Sequence, residues 1–200
     1  MSQGHNVTRA STSADYSQAV TSGHPVTIIV LTWNGIDYTK RCLDTVRANT
    51  TYPGYCLIVA DNGSTDGTVE YLEAQRSITS LSNGSNLGFA KGNNRAIISS
   101  DPKSDIVLLN NDTEIRQADW IERLQATAYG SPDIGVVGCR LAKPDGILQH
   151  AGTYMPIETF WGQQLGSGEK DEHDDDQWAE HHHLHCDGPF HLQRFGMQNP

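Results

Sequence analysis

Four short, β-branched apolar runs punctuate the chain, at 26–31, 57–60, 106–109 and 134–137, with a smaller apolar piece at 78–81. Each is nearly continuous rather than alternating, the pattern of strands covered on both faces by helices. Helix-length segments with the matching period lie between them. Ile36, Leu43 and Val46 share a face over 36–47, Val69 and Leu72 over 65–76, and Trp120, Ile121, Leu124 and Ala128 over 118–129. Such stripes mark helices packed on a core by one side. Ser64 or Thr65 is placed to cap the second of them, and a weaker helix is expected over 90–99. The order is β-α-β-α-β-α-β-α-β, which predicts an open, doubly wound and mostly parallel α/β sheet over 26–140.

Outside this region the pattern changes. Residues 1–24 are rich in Ser, Thr, Ala and Gly with no apolar period, and read as a flexible leader. They lack the apolar core of a secretory signal. No run approaches the length of a membrane span, so the chain is expected in the cytoplasm, at most peripheral at the inner face of a membrane. The four cysteines have no CxxC spacing and read as reduced thiols. The net charge of −10 argues against nucleic acid as a partner, since phosphate binding needs a basic surface. Most of that charge sits in the stretch 169–180 (EKDEHDDDQWAE), which leaves the body nearly balanced and open to an anionic ligand helped by a metal or a dipole.

Doubly wound sheets bind ligands beyond the carboxyl ends of their strands. Four successive strand ends here carry Asn, Asp and Gly: Thr32-Trp33-Asn34-Gly35, the 61–67 string DNGSTDG, the 86–94 string NLGFAKGNN, and Asn110-Asn111-Asp112-Thr113-Glu114. A single such cluster reads equally well as a turn; four in phase with the strands point to a site. The chain has no GxGxxG after its first strand, no GxxxxGK[ST] and no GxSxG, so a dinucleotide-binding dehydrogenase, a phosphate-loop ATPase and an α/β-hydrolase are unsupported.

TWN, DNGSTDGT, NLGFAKGNN and LLNNDTE, in this order and spacing, resemble inverting glycosyltransferases of family 2, in particular the bacterial rhamnosyltransferase-like branch of polysaccharide assembly. The resemblance implies a GT-A fold over residues 25–165, a nucleoside-diphosphate sugar donor, a glycan or lipid-linked acceptor, and Mg²⁺ or Mn²⁺. It implies Asp112 as the metal ligand, at the last position of the family's Asp-x-Asp motif, whose first position here is Asn110. A hard cation on such a carboxylate offsets the charge of the leaving diphosphate, an effect of several kcal/mol in the transition state. Asp61 matches the family's base-binding aspartate, and a carboxylate can accept the N3–H of uracil or thymine, which favours a UDP- or dTDP-linked donor. Thr32, Asn34, Gly88, Asn93 and Asn111 complete the expected donor site. Gly88 and Gly92 would let the backbone approach the donor, with the amides of Asn93 and Asn94 at a helix start. Lys91 reads as a phosphate contact or a solvated lysine, and Asp66 as a helix cap or a ligand.

The 145–152 string DGILQHAG still looks like the family, where it leads toward the acceptor half. Past residue 165 the resemblance stops. Residues 166–200 form an acidic, His-rich tail with no apolar strand and no Gly-rich turn before an acidic pair, so the general base that an inverting transferase needs is not assigned. A truncated or frameshifted gene product is the expectation there. The tail's histidines and Cys186 have no zinc-finger spacing, and Asp174, Asp175 and Asp176 read as a solvated loop. Tyr154 and Trp161 offer either a sugar-stacking face or plain packing. Two functions remain open: a metal-assisted inverting glycosyltransferase, or a catalytically silent nucleotide-sugar binder without the acceptor half and general base. A sugar nucleotidyltransferase would need a Gly-rich, Arg/Lys-bearing loop after the first strand, and the 32–35 turn has none.

Overall fold

The computed structural model describes residues 23–154, 163–164 and 166–170. The leader but for Gly23 and His24, Trp161, the side chain of Tyr154, and the tail beyond Lys170 lie outside the described residues.

Strand β1 (Val26–Thr32) is the middle of the fold. It pairs in parallel with β2 (Tyr55–Asp61) on one side and β4 (Asp105–Asn110) on the other, while β3 (Thr79–Ser82) adds to the outer edge of β2. The order is β3-β2-β1-β4. Every residue of β1 except Leu31 is buried, which is why its sequence runs apolar without alternation. Helix α1 (Ile36–Ala48) links β1 to β2, α2 (Thr68–Glu73) links β2 to β3, α3 (Phe89–Ile98) links β3 to β4, and α4 (Trp120–Tyr129) follows β4.

The helices divide between the two faces. Ile28, Val30, Leu57 and Val59 meet Leu43 and Val46 of α1, Leu72 of α2, and Trp120 and Ile121 of α4. On the other face Ile29, Ile58 and Ala60 meet Ala96 of α3. Burying residues such as Ile28 and Ile29 contributes about 1.5–3 kcal/mol each, so β1 carries much of the core on its own. Among the described residues no helix is long and apolar enough to cross a membrane.

Three expectations are corrected. The run at 134–137 is not a strand: it follows a turn closed by Ile134 N–H on the Ser131 carbonyl, and Val136 is 51% exposed. Gly135 within the run and Gly138 just after it leave it little side chain to pack in a sheet. Helix α2 starts at Thr68 rather than 65, because Gly67 adopts φ +90 and the preceding residues serve the loop instead. Gly92 does not serve ligand approach. It is buried inside α3, where a Cβ would stand 2.7 Å from Leu31 Cδ1 and 3.0 and 3.2 Å from the amide atoms of Asn62. Its missing side chain is what lets α3 lie on the sheet.

Past the sheet, β5 (Leu141–Ala142) and β6 (Leu148–His150) form an antiparallel hairpin, and β7 (Thr153–Tyr154) pairs with β8 (Gln163–Gln164). Residues 166–170 return beside β6, with Leu148 N–H on the Glu169 carbonyl at 2.9 Å and Gly168 N–H on the Leu148 carbonyl at 3.0 Å.

Gly92→Ala tests the packing. Alanine normally favours a helix interior by about 0.5–1 kcal/mol over glycine, but overpacking here costs more, about 1–3 kcal/mol. Urea unfolding is expected to show a net loss of stability, and a variant as stable as wild type would refute the close α3–sheet contact.

Candidate functional site

The chain leaves β1 toward β2 and β3 on one side and comes back to β4 on the other, so the sheet's switch point lies between the C-terminal ends of β1 and β4. Ligands of open α/β sheets bind at such a point. The rim there consists of the 32–35 turn after β1, the 61–67 loop after β2, the 83–88 loop after β3, and Asn110–Glu114 after β4.

The turn after β1 is locked to its neighbour. Asn34 takes φ +57 and Gly35 φ +70, two successive left-handed residues that suit Asn and Gly. Asn34 N–H donates to Ser64 Oγ at 2.7 Å, and its Oδ1 accepts Thr65 N–H at 2.8 Å. Asp66 accepts from Ile36 N–H at 2.9 Å, and from the Thr68 N–H and hydroxyl at 3.2 and 2.6 Å. One carboxylate thus caps the starts of both α1 and α2, the cap reading of Asp66 rather than the ligand one, while Ser64 and Thr65, the other cap candidates, bond to Asn34 instead. The Thr68 hydroxyl, joined by the Ile36 and Thr68 N–H groups, holds the Asp66 carboxyl below the usual carboxylate range. This charge also sits at two helix N-termini, where the dipoles favour it.

At the switch point Asn111 Nδ2 donates to the hydroxyls of Thr32 and Thr39, each at 3.2 Å, and those hydroxyls lie 2.8 Å apart. Thr32 and Thr39 are buried, so Asn111 pins the β4 end to β1 and α1. Thr32 is closed to a ligand through its side chain, and its carbonyl receives Asn62 N–H at 2.8 Å. Asp112, next along, is exposed. Among the described residues its carboxylate has no hydrogen bond or ion pair. Below it lies Cys42, buried, with Sγ donating to the Asn110 carbonyl at 3.6 Å. Burial, reinforced by the Asp112 charge and opposed by Thr113 N–H, pushes the thiol up to about 12. It stays protonated at neutral pH.

Among the described residues no group of three His, Cys, Asp or Glu could hold a metal. A single exposed carboxylate nevertheless suits Mg²⁺ or Mn²⁺, which take one or two carboxylates together with substrate phosphates. Glu114 is engaged with Arg41 at 3.3 Å, leaving Asp112 as the carboxylate available there.

Asp61 ends β2, in register with Thr32. It is only 2% exposed, and its carboxylate accepts Gly63 N–H at 2.9 Å and Ser64 N–H at 3.1 and 3.2 Å. Its first task is therefore to fold the loop that follows it. Its strand and that of Asp112 flank β1, about 10 Å apart by strand spacing. Gly88 stands exposed at the start of α3. Asn93 is not at the rim: 3% exposed, it lies inside α3 with its amide donating to the Phe89 carbonyl at 3.0 Å. Sequence reading missed Thr39, Cys42, Asn62, Asn83 and Asn86. The first two lay on the expected α1, Asn62 and Asn86 in strand-end strings already singled out, and Asn83 outside them, but nothing in a sequence says which Asn of a polar loop turns inward.

The Asp66 caps generate a pH prediction. A lowered folded-state pKa contributes stability above the unfolded pKa, lost as pH falls through the folded value. Wild type is expected to be more stable than Asp66→Asn in urea at pH 7, with the gap closing below about pH 4. A gap that persists at pH 2 would disprove the charge-dependent caps.

Over residues 27–197 the chain matches the model of the family described as glycosyl transferase family 2. It is 32% identical over 138 residues to the uncharacterized protein y4gI of Sinorhizobium fredii, a match covering 66% of this chain and 15% of that protein. It is 30% identical over 140 residues to the O-antigen biosynthesis protein RfbC of Myxococcus xanthus, covering 68% of this chain and 11% of that protein. The chain thus spans a small part of the length of either relative. Among solved structures it is similar to the mannosyltransferase PcManGT of Pyrobaculum calidifontis in complex with GDP-Man and Mn²⁺, at TM-score 0.54 and 23% identity, covering 65% of this chain and 43% of that one. That likeness shows the fold, a mostly parallel sheet of the GT-A type flanked by helices. With its fold and most of its length matched, the chain belongs to glycosyltransferase family 2.

Proposed function

We infer that this chain carries the donor-binding half of an inverting glycosyltransferase. It takes a UDP- or dTDP-linked sugar and serves transfer to a glycan or lipid-linked acceptor. The observation that carries the reading is the switch-point rim, where Asn111 ties three elements together and the adjacent Asp112 carboxylate is exposed without a partner among the described residues. RfbC, a relative in O-antigen biosynthesis, and PcManGT, solved with GDP-Man and Mn²⁺, support a nucleotide-sugar donor and a metal; the choice of a uracil or thymine base rests on Asp61. In this reading Asp112 holds Mg²⁺ or Mn²⁺ against the diphosphate. The cation, when bound, supplies Lewis-acid stabilisation of the departing diphosphate. The chain's own residues orient the donor: the Asn34–Gly35 turn and the Asp61 loop border the nucleoside side, and Gly88 opens the backbone at the start of α3. Asp61 has lone-pair capacity beyond its backbone contacts, since a carboxylate offers about four acceptor positions. The family match carries the domain to residue 197, past the 165 at which the resemblance was expected to stop, and no residue is assigned as the general base for the acceptor hydroxyl. A donor-binding chain without turnover is the rival reading; release of nucleoside diphosphate from the sugar nucleotide separates the two.

Asp112→Ala is expected to abolish Mn²⁺-dependent binding of UDP and dTDP in calorimetry while the melting temperature stays within a few degrees, because exposed substitutions cost about 0.5 kcal/mol or less. Undiminished nucleotide affinity would remove the metal assignment. A thermal-shift panel should show UDP and dTDP, with Mn²⁺, raising the melting temperature more than CDP or GDP. Equal shifts for all four would overturn the reading of Asp61 as base-selective.

A further inference from the structure

One buried residue, Asn62, joins three of the four rim segments, the β1 turn through its backbone and the 83–88 loop through its side chain. It is 2% exposed. Its backbone N–H meets the Thr32 carbonyl at 2.8 Å. Its Oδ1 accepts from Asn83 Nδ2 at 2.8 Å, and its Nδ2 donates to Asn86 Oδ1 and the Gly88 carbonyl, both at 3.4 Å. The orientation of these amides is not free. Gly88 N–H donates to Asn86 at 2.9 Å, which requires the Asn86 oxygen there, and Asn62 must then turn its nitrogen to Asn86 and its oxygen to Asn83. The surroundings are shaped to admit this arrangement. A Cβ on Gly92 would press on the Asn62 amide, and one on Gly63 would come within 2.9 Å of Ser85 Cα in the 83–88 loop. Helix α3 begins directly after this tie, with no side-chain cap and no acidic residue in its first turn.

We propose that Asn62 is a positioning residue for donor binding. Through Asn83, Asn86 and Gly88 it holds the 83–88 loop and the first turn of α3 at a set separation from Asp61 and the β1 turn, so a nucleoside diphosphate meets a rim already in place. The inference rests on reading the rim as a nucleotide-sugar site. Asn62 is enclosed by the protein and acts through its neighbours.

Asn62→Asp provides the test. The variant keeps the size of the side chain and the acceptor for Asn83, but sets a carboxylate oxygen against two acceptors, Asn86 Oδ1 and the Gly88 carbonyl. Ile121→Val, in the core on the opposite face of the sheet, serves as the stability control, and Asn86→Ala breaks the same tie from an exposed position. The UDP dissociation constant with Mn²⁺ and amide hydrogen exchange over 83–88 are measured on the whole chain. Asn62→Asp and Asn86→Ala are expected to weaken UDP about tenfold and to speed exchange over 83–88, while Ile121→Val leaves both near wild type. UDP affinity within about twofold of wild type, unchanged exchange, or an equal loss in Ile121→Val would overturn the proposal. If wild type itself binds neither UDP nor dTDP, the donor reading fails, and the exchange data separately decide whether Asn62 holds the loop.

Discussion

Everything at the rim depends on the parallel pairing of β1 with two strands that the chain visits in opposite directions. That arrangement brings the ends of β2, β1 and β4 level, with Thr32 beside Asp61 and Leu31 beside Asn110. It also leaves the loops after them facing one another across a short gap. Hydrogen bonds then close the gap: Asn34 to the 64–65 backbone and side chain, Asp66 to the starts of two helices, Asn111 to two buried hydroxyls. Polar loops would otherwise be the softest part of the domain. Here their polar groups are consumed in cross-ties, which is how Asn- and Asp-rich segments become a shaped surface.

The electrostatics follow from the same geometry. Asp66 is satisfied by N–H groups and a hydroxyl, and Asp61 by the backbone of its own loop. Glu114 has Arg41. Asp112 stands apart among the rim carboxylates in lacking such a partner among the described residues, and its charge is felt by the neutral thiol of Cys42 beneath it. An unpaired carboxylate on an exposed rim is inexpensive in water. In the proposed reading it meets a hard cation already bound to phosphate oxygens, since one carboxylate alone binds such ions weakly.

Much of this was legible in the chain itself. Continuous apolar runs marked β1 and β2 because both faces of those strands are packed; the run of β4 marked it too, although β4 is an edge strand with Leu108 47% exposed, and the stripe of Trp120, Ile121 and Leu124 marked α4. The apolar run at 134–137 misled because strand identity depends on a neighbour to pair with, and Val136 lies half exposed instead. Helix α2 was started too early because residues 64–66 are claimed by bonds to residues about thirty positions earlier, which no local propensity registers. Gly92 and Asn93 sat in a string that read as ligand-facing, yet one makes room for Leu31 and Asn62 and the other bonds back to Phe89.

What the sequence determined by itself was the alternation of elements, the placement of Asn, Asp and Gly at strand ends, and the family those strings spell. Periodicity and turn chemistry are local properties, so they survive in a one-dimensional reading. Which polar side chains turn inward to tie the rim, as Asn62, Asn111 and Asp66 do, and which is left facing solvent, as Asp112 is, was decided only by tertiary structure. Each of those outcomes depends on a partner brought close by the winding of the sheet, and hydrogen-bond reach of about 3 Å is a distance that sequence separation does not encode.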